Sequence, residues 1–277
     1  MKTLPVSFQQ TPIAGLHEST AHYKAYFFGP FRVTHGAQVL GGAVWRRNKA
    51  KTLLKWFLLN HGQKYSANQL INLFWPDTTK SAAARNLHVT INYLRHLLEP
   101  ELLPRQESTF IRRNKHNFYW FELHGVWWAD IFDLQTHHLA AREAQQRNCP
   151  DEAMTHFRAI VQHCSPGFLP EDAYEDIFSI YRRHYDLIYI QALEGLVELC
   201  SEAALFDEVH SHANQALLVD PYCEFALKAI INAFFRQGNV TGAIRRLNDF
   251  QKLLREDLGM ELGEDMLSLR TKMIGMK

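Results

Sequence analysis

The chain has 277 residues, of which 47% are hydrophobic, 12% aromatic and 21% charged. That is enough apolar mass for about two packed domains and too much for a disordered chain. The net charge of +1 hides a division: residues 1–125 carry 16 Lys and Arg against 6 Asp and Glu, and residues 126–277 carry 14 against 23. A cationic half joined to an anionic half implies that the first meets a polyanion, since a positive patch gains affinity by releasing counterions from phosphates.

Residues 1–22 are polar and aperiodic, contain Pro5 and Pro12, and read as a flexible arm. They lack the apolar core of a secretory signal. No apolar run is long enough for a membrane span, the best, Leu53–Leu59, being broken by Lys55. From Tyr23, the pieces KAYFF, FRV and QVL, parted by Gly29-Pro30 and His35-Gly36, predict a meander of short strands closed at Gly41-Gly42. Helical periodicity from about Arg47 sets Ala50, Leu53, Leu54, Phe57 and Leu58 on one face and ends at Gly62. Ser66 is a good N-cap for a short second helix carrying Leu70, Leu73 and Phe74, stopped by Pro76.

A third helix is predicted over Lys80–Glu99, with Leu87, Ile91, Leu94 and Leu98 as its apolar stripe. Steps of about 100° per residue put Arg85, Val89, Asn92, Tyr93 and His96 on the opposite side, flanked by His88. Thr109–Arg113 and Phe118–Leu123 then read as a hairpin with a basic tip at residues 114–117. After Trp127-Trp128 the pattern is helical, with candidate helices over 131–147, 151–163, 173–203, 206–219, 222–236, 240–256 and 264–274. Ala204, His210, Ala213 and Ala216 map onto Gly238, Ile244, Leu247 and Phe250 at an offset of 34 residues, the tetratricopeptide period.

The expected fold is therefore mostly α with a small β component. A winged helix-turn-helix with an N-terminal β-meander (23–125) follows the arm (1–22) and precedes an all-α, tetratricopeptide-like domain (126–277). A helix fits the major groove with its exposed side chains against base edges. On the third helix Arg85 suits guanine or phosphate, Asn92 adenine, and Val89 a thymine methyl. Arg46, Arg47, Lys49 and Lys51 open the first helix, where they could hold the DNA backbone. Arg112, Arg113, Lys115 and His116 on the hairpin could reach the adjacent minor groove. Trp45, Trp56, Trp75 and Trp120 read as core residues rather than base-stacking platforms.

The segments FGPFRV, W-R-R-x-K-A-K-T-L-L, L-F-W-P-D and A-R-N-L-H-V-T-I-N-Y-L-R-H-L-L-E-P resemble the N-terminal domain of SARP-type transcriptional activators. From Val126-Trp127-Trp128-Ala129-Asp130 onward the chain resembles the bacterial transcriptional activation domain. The clearest stretch there is F-F-R-Q-G-N-V-T-G-A-I-R-R-L-N-D-F-Q-K-L-L-R-E-D-L-G-M-E-L-G-E-D. The resemblance covers roughly residues 24–275. It implies sequence-specific binding of double-stranded promoter DNA. It also implies a helical domain that supports homodimerisation and contacts RNA polymerase or another transcription factor. One departure is the wing, where Asn117 stands in place of the usual glycine before Phe118-Tyr119; asparagine tolerates a left-handed backbone, so the hairpin should survive. Larger relatives add an ATPase, but no G-x-x-x-x-G-K-[ST] occurs here and no nucleotide hydrolysis is expected.

An enzyme is disfavoured by the lack of G-x-S-x-G, H-E-x-x-H and G-x-G-x-x-G motifs, and no cofactor is expected. The four cysteines are widely spaced without a C-x-x-C, which fits a reducing cytoplasm. His210-x-His212 and His137-His138 are the closest histidine pairs. Neither shows carboxylate or thiolate partners at ligand spacing, so no metal is expected. A rival reading makes the helical half a receptor for a small nucleotide messenger such as a cyclic dinucleotide. Arg182, Arg183 and Asp186 would be the recognition set, because arginine forks pair with phosphates and guanine edges.

Overall fold

The computed structural model describes residues 18–41, 45 and 48–275. Most of the expected arm, together with Gly42, Arg46 and Arg47, lies outside the described residues. The chain divides into two compact units. One runs to Asp133 and takes in Leu169–Ile180; the other holds Leu134–Phe168 and everything from Tyr181.

The first unit opens with β1 (Tyr23–Tyr26), β2 (Arg32–His35) and β3 (Gln38–Val39). Side chains alternate across β1, Tyr23 and Ala25 facing inward, as a half-buried strand demands. β2 pairs antiparallel with β1 through Ala25↔Val33, and β3 continues the meander. A fourth strand, β7 (Trp127–Ala129), adds to β1 in parallel at Tyr23↔Trp127. The sequence gives no strand there, because a three-residue strand buried on both faces has no alternation to read. Directly after β7, Asp130 is 4% exposed, and its carboxylate accepts from the Phe27 and Phe28 backbone N–H groups at 2.7 and 2.9 Å. Burial pushes its pKa up to about 7, against the downward pull of those donors.

Three helices follow the meander: α1 (Asn48–Leu59), α2 (Ala67–Phe74) and α3 (Lys80–Leu98). Ser66 caps α2 in a reciprocal capping box with Gln69, as its type and position predict. A second sheet forms from β4 (Tyr65–Ser66), β5 (Ile111–Arg113) and β6 (Phe118–Phe121), in the order β4-β6-β5. β4 is two residues long and was not foreseen; it ties the start of α2 to the hairpin through Tyr65↔Tyr119. Aromatic rings fill this unit. Tyr23 stacks on Trp127 at 4.7 Å, Phe121 meets Trp127 edge-on at 5.3 Å, and Trp56 meets Tyr65 at 4.2 Å. Trp45, Trp56 and Trp75 are buried as expected. Trp120 corrects that expectation: it is half-buried, with Lys64 Nζ 4.8 Å above its ring. The reason is strand alternation, which buries Tyr119 and Phe121 and turns Trp120 to the other face.

The predicted helix over 173–203 starts later than its pattern suggests. Pro170–Asp172 and Asp176–Phe178 are single 3₁₀ turns, and the helix proper is α6 (Ser179–Glu202). The segment before it is held to the first unit by ions. Lys55, 1% exposed on α1, meets Glu171 at 2.7 Å and pairs closely with Asp172, while Lys51 reaches Glu171 at 2.6 Å.

The second unit takes the greater part of α4 (Asp130–Gln146), with α5 (Pro150–Cys164), α6 from Tyr181, α7 (Phe206–Val219), α8 (Glu224–Arg236), α9 (Val240–Leu258) and α10 (Glu264–Gly275). The 34-residue echo is real in three dimensions. Ala204 (φ 56°) and Gly238 (φ 77°) both take the left-handed turn before a helix, and Ala213, Ala216, Leu247 and Phe250 are all buried. No described helix is long and apolar enough to cross a membrane.

Candidate nucleic-acid interface

The interface is built on α3. Its buried stripe is Ala83, Leu87, Thr90, Ile91, Leu94 and Leu98, wider than the four leucine and isoleucine positions of the sequence pattern. The opposite stripe, Arg85, His88, Val89, Asn92 and His96, is exposed throughout, Val89 to 43%. Val89 is therefore a surface position and not part of the core that the other face of the helix builds. Ser81, one turn before Arg85 on the same stripe, is also exposed and was missed by the sequence reading. Its signal is the helical period itself, extended one turn toward the N-terminus. Tyr93 sits at the edge of the stripe and is half-buried. His96 Nδ1 lies 2.9 Å from the Asn92 carbonyl, which holds the ring along the helix.

The hairpin β5–β6 stands beside the end of α3. Arg95 fixes the two together, donating from Nε and Nη2 to the Ile111 carbonyl at 3.1 and 2.7 Å. At the tip, Asn114 Oδ1 accepts from the His116 and Phe118 backbone N–H groups at 3.0 Å each. Asn117 takes φ 60°, the left-handed conformation that a glycine would otherwise supply. Its Oδ1 also accepts from Arg113. Arg113, Lys115 and His116 are exposed; Arg112 is partly covered and meets Glu107 at 3.3 Å.

Between the end of α3 and the hairpin lies a cleft of about 330 Å³, lined on its basic side by His96, Arg105, Arg112 and Arg113. Arg105 had no sequence signal of its own. It holds φ 70° in the loop leaving Pro104, so its placement is a product of the turn and not of any periodicity.

The cations expected at the start of α1 separate. Lys49 is exposed, whereas Lys51 is engaged by Glu171; Arg46 and Arg47 lie outside the described residues. Of the set singled out on α6, Arg183 is exposed and Arg182 and Asp186 are half-buried one turn apart. Burial raises the Asp186 carboxyl, with Arg182 opposing it. The expectation that the His210-x-His212 pair lacks ligand partners is corrected. Glu208, one turn before His212, and Cys200, across the α6–α7 turn, converge on His212 with ligand atoms all within 4.8 Å.

An exposed helix stripe beside a basic hairpin, on three helices and two small sheets, defines a winged-helix module. Residues 41–115 match the family described as "Transcriptional regulatory protein, C terminal", and residues 129–273 match the "Bacterial transcriptional activator domain". The chain belongs to the bacterial transcriptional activator domain family, and its architecture is that of a SARP-type transcriptional regulator.

It is similar to the Regulatory protein AfsR of Streptomyces griseus, 21% identical over 251 residues. The match covers 89% of this chain and 24% of that protein, so the chain spans about a quarter of the length of this curated relative. Its fold is similar to that of Mycobacterium tuberculosis EmbR, solved in complex with a low-affinity phosphopeptide. The TM-score is 0.73 at 15% identity, covering 92% of this chain and 66% of that one.

Proposed function

We propose that the protein is a sequence-specific DNA-binding transcriptional activator that places α3 in the major groove of promoter DNA and the β5–β6 wing against the neighbouring minor groove. The observation that carries this reading is the stripe Arg85, His88, Val89, Asn92 and His96, all exposed on one side of a helix whose other side is core. Arg85 and Asn92 read base edges, and Val89 takes a thymine methyl. Lys49, Arg113, Lys115 and His116 hold phosphates, with Arg105 as an addition from the cleft. Arg46 and Arg47 join this set on sequence grounds, while Lys51 would first have to leave Glu171.

The helical unit serves as the partner surface for RNA polymerase, another regulator or a second copy of the chain. Leu218, 85% exposed on α7, supports a contact role there. The rival reading of a nucleotide messenger at Arg182, Arg183 and Asp186 is tested by calorimetry with a panel of nucleotides, where no heat removes it.

The test of the main reading is selection of a binding site from random duplexes, followed by affinity measurements across salt. Six to ten phosphate contacts should cost roughly 10³–10⁵ in affinity between 50 and 200 mM salt. Arg85→Ala with Asn92→Ala should erase the preference for the selected site while leaving the helical content intact. An unchanged footprint from that double variant would overturn the assignment of α3.

A further inference from the structure

We propose that Cys200, Glu208 and His212 form a zinc site that clips the end of α6 to the first two turns of α7. Cys200 is fully buried at the end of α6, and Glu208 and His212 stand one turn apart on α7, so the short 203–205 connection folds thiol, carboxylate and imidazole together. Cys200 Sγ and His212 Nε2 each lie 3.9 Å from Glu208 Oε2. With zinc–ligand distances of about 2.0–2.3 Å, ligand atoms around a tetrahedral ion stand roughly 3.3–3.6 Å apart. All three ligand atoms lie within 4.8 Å of one another, so closing around an ion draws them together by up to about 1.5 Å. Sulfur, nitrogen and oxygen in one set match the borderline softness of zinc and leave the fourth position for water.

The protonation states suit this chemistry. Burial lowers the His212 pKa, which leaves the imidazole lone pair free, and Arg158 holds the Glu208 carboxyl in its ionised form. Burial and the Glu208 charge raise the Cys200 thiol, so zinc binding displaces one proton from Sγ to solvent, with no change of oxidation state. Thiolate and carboxylate together then neutralise the divalent ion. Arg158 Nη2 meets Glu208 Oε2 at 2.7 Å and must pass to Oε1, where it continues to orient the ligand. A second, independent observation lies one turn along α7. His212 Nδ1 and Gln215 Oε1 are both buried, and the two side chains interact with each other. A histidine bound to metal through Nε2 donates its other N–H to just such an acceptor. The site is separate from the α3 face and stands whether or not that face binds DNA.

The test uses the full chain without an affinity tag, reduced and stripped by a chelator, and titrated with Co(II) as the spectroscopic probe and then with Zn(II) in competition. The expected result is one equivalent bound with a thiolate-to-cobalt charge-transfer band that Zn(II) abolishes. Cys164→Ser should keep the band and Cys200→Ser should lose it. His212→Gln and Glu208→Gln should each weaken binding at least tenfold, with circular dichroism confirming that the variants are folded. Because Cys200 is a core residue and its variant can fail to fold, the two half-buried positions decide. Absence of the band in the parent, its survival in Cys200→Ser, or unchanged affinity in either His212→Gln or Glu208→Gln would overturn the site.

Discussion

The two units reach stability by opposite means. The first is filled with large rings (Tyr23, Phe27, Trp56, Phe57, Phe121 and Trp127 among them) and is fastened by polar side chains taken out of water, the charged Lys55 and the carboxyl of Asp130. Its elements are short and mixed, two to four residues for most strands, so the gaps between them need bulky side chains and specific polar ties. The second unit buries Ala192, Gly195, Ala213, Ala216, Ala226, Ala233 and Ala243. Small residues let helix pairs approach closely and repeat the same contact down the chain. A DNA reader needs a unique, rigid geometry for one helix, and buried polar ties favour a single arrangement. A stacked array needs only a repeating fit.

Breaking the ionic fastening should have the largest effect. Lys55→Ala leaves Glu171 and Asp172 without their buried counter-ion and should cost about 3 kcal/mol, since unpairing a buried charge is far costlier than losing an exposed pair. Hydrogen exchange should rise in β1–β2 and in 169–180, whereas Lys49→Ala should change neither.

Asp130 gives the same unit a pH signature. Its folded pKa, about 7, lies above the unfolded value of 3.8, so the folded state holds the proton more tightly. Its contribution to stability is fully present below about pH 4 and is lost as pH rises toward 7. Denaturant titrations of parent and Asp130→Asn should therefore diverge by about 1.4 kcal/mol per pH unit in that window. Parallel curves between pH 5 and 7 would refute it.

Close packing in the second unit is tested at Gly195, where an added Cβ would stand 2.5 Å from Phe157 Cε2. Gly195→Ala should cost about 1–3 kcal/mol, and Phe157→Leu in the same chain should recover part of it. The smallest effect contrasts the two halves of the repeat. Ala204 adopts the left-handed turn that Gly238 provides one repeat later. Ala204→Gly should stabilise by about 0.5 kcal/mol and Gly238→Ala destabilise by about 1 kcal/mol, read from thermal melts.

Long periodic elements were readable from the chain alone. The stripe of α3, the Ser66 cap, the hairpin tip with Asn117, and the helices from α7 to α9 follow from spacing and residue type, because each is fixed by neighbours within a few positions. The short strands β4 and β7 carried no such signal, being two and three residues whose partners lie over fifty residues away. The later start of α6 was hidden for a related reason. Residues 173–178 fall inside the helical pattern, but the chain just before them is held in a 3₁₀ turn by the pairing of Glu171 and Asp172 with lysines of α1.

What the amino-acid order determined was the class of each segment, the face of α3 and the separation of charge, since periodicity and capping act locally. Only the folded chain decided which charges are free. It withdrew Lys51 from the cationic surface, brought Arg105 beside the wing, and set Cys200 against Glu208 and His212. Long-range pairing of charges and ligands depends on distances through space, and no local pattern encodes them.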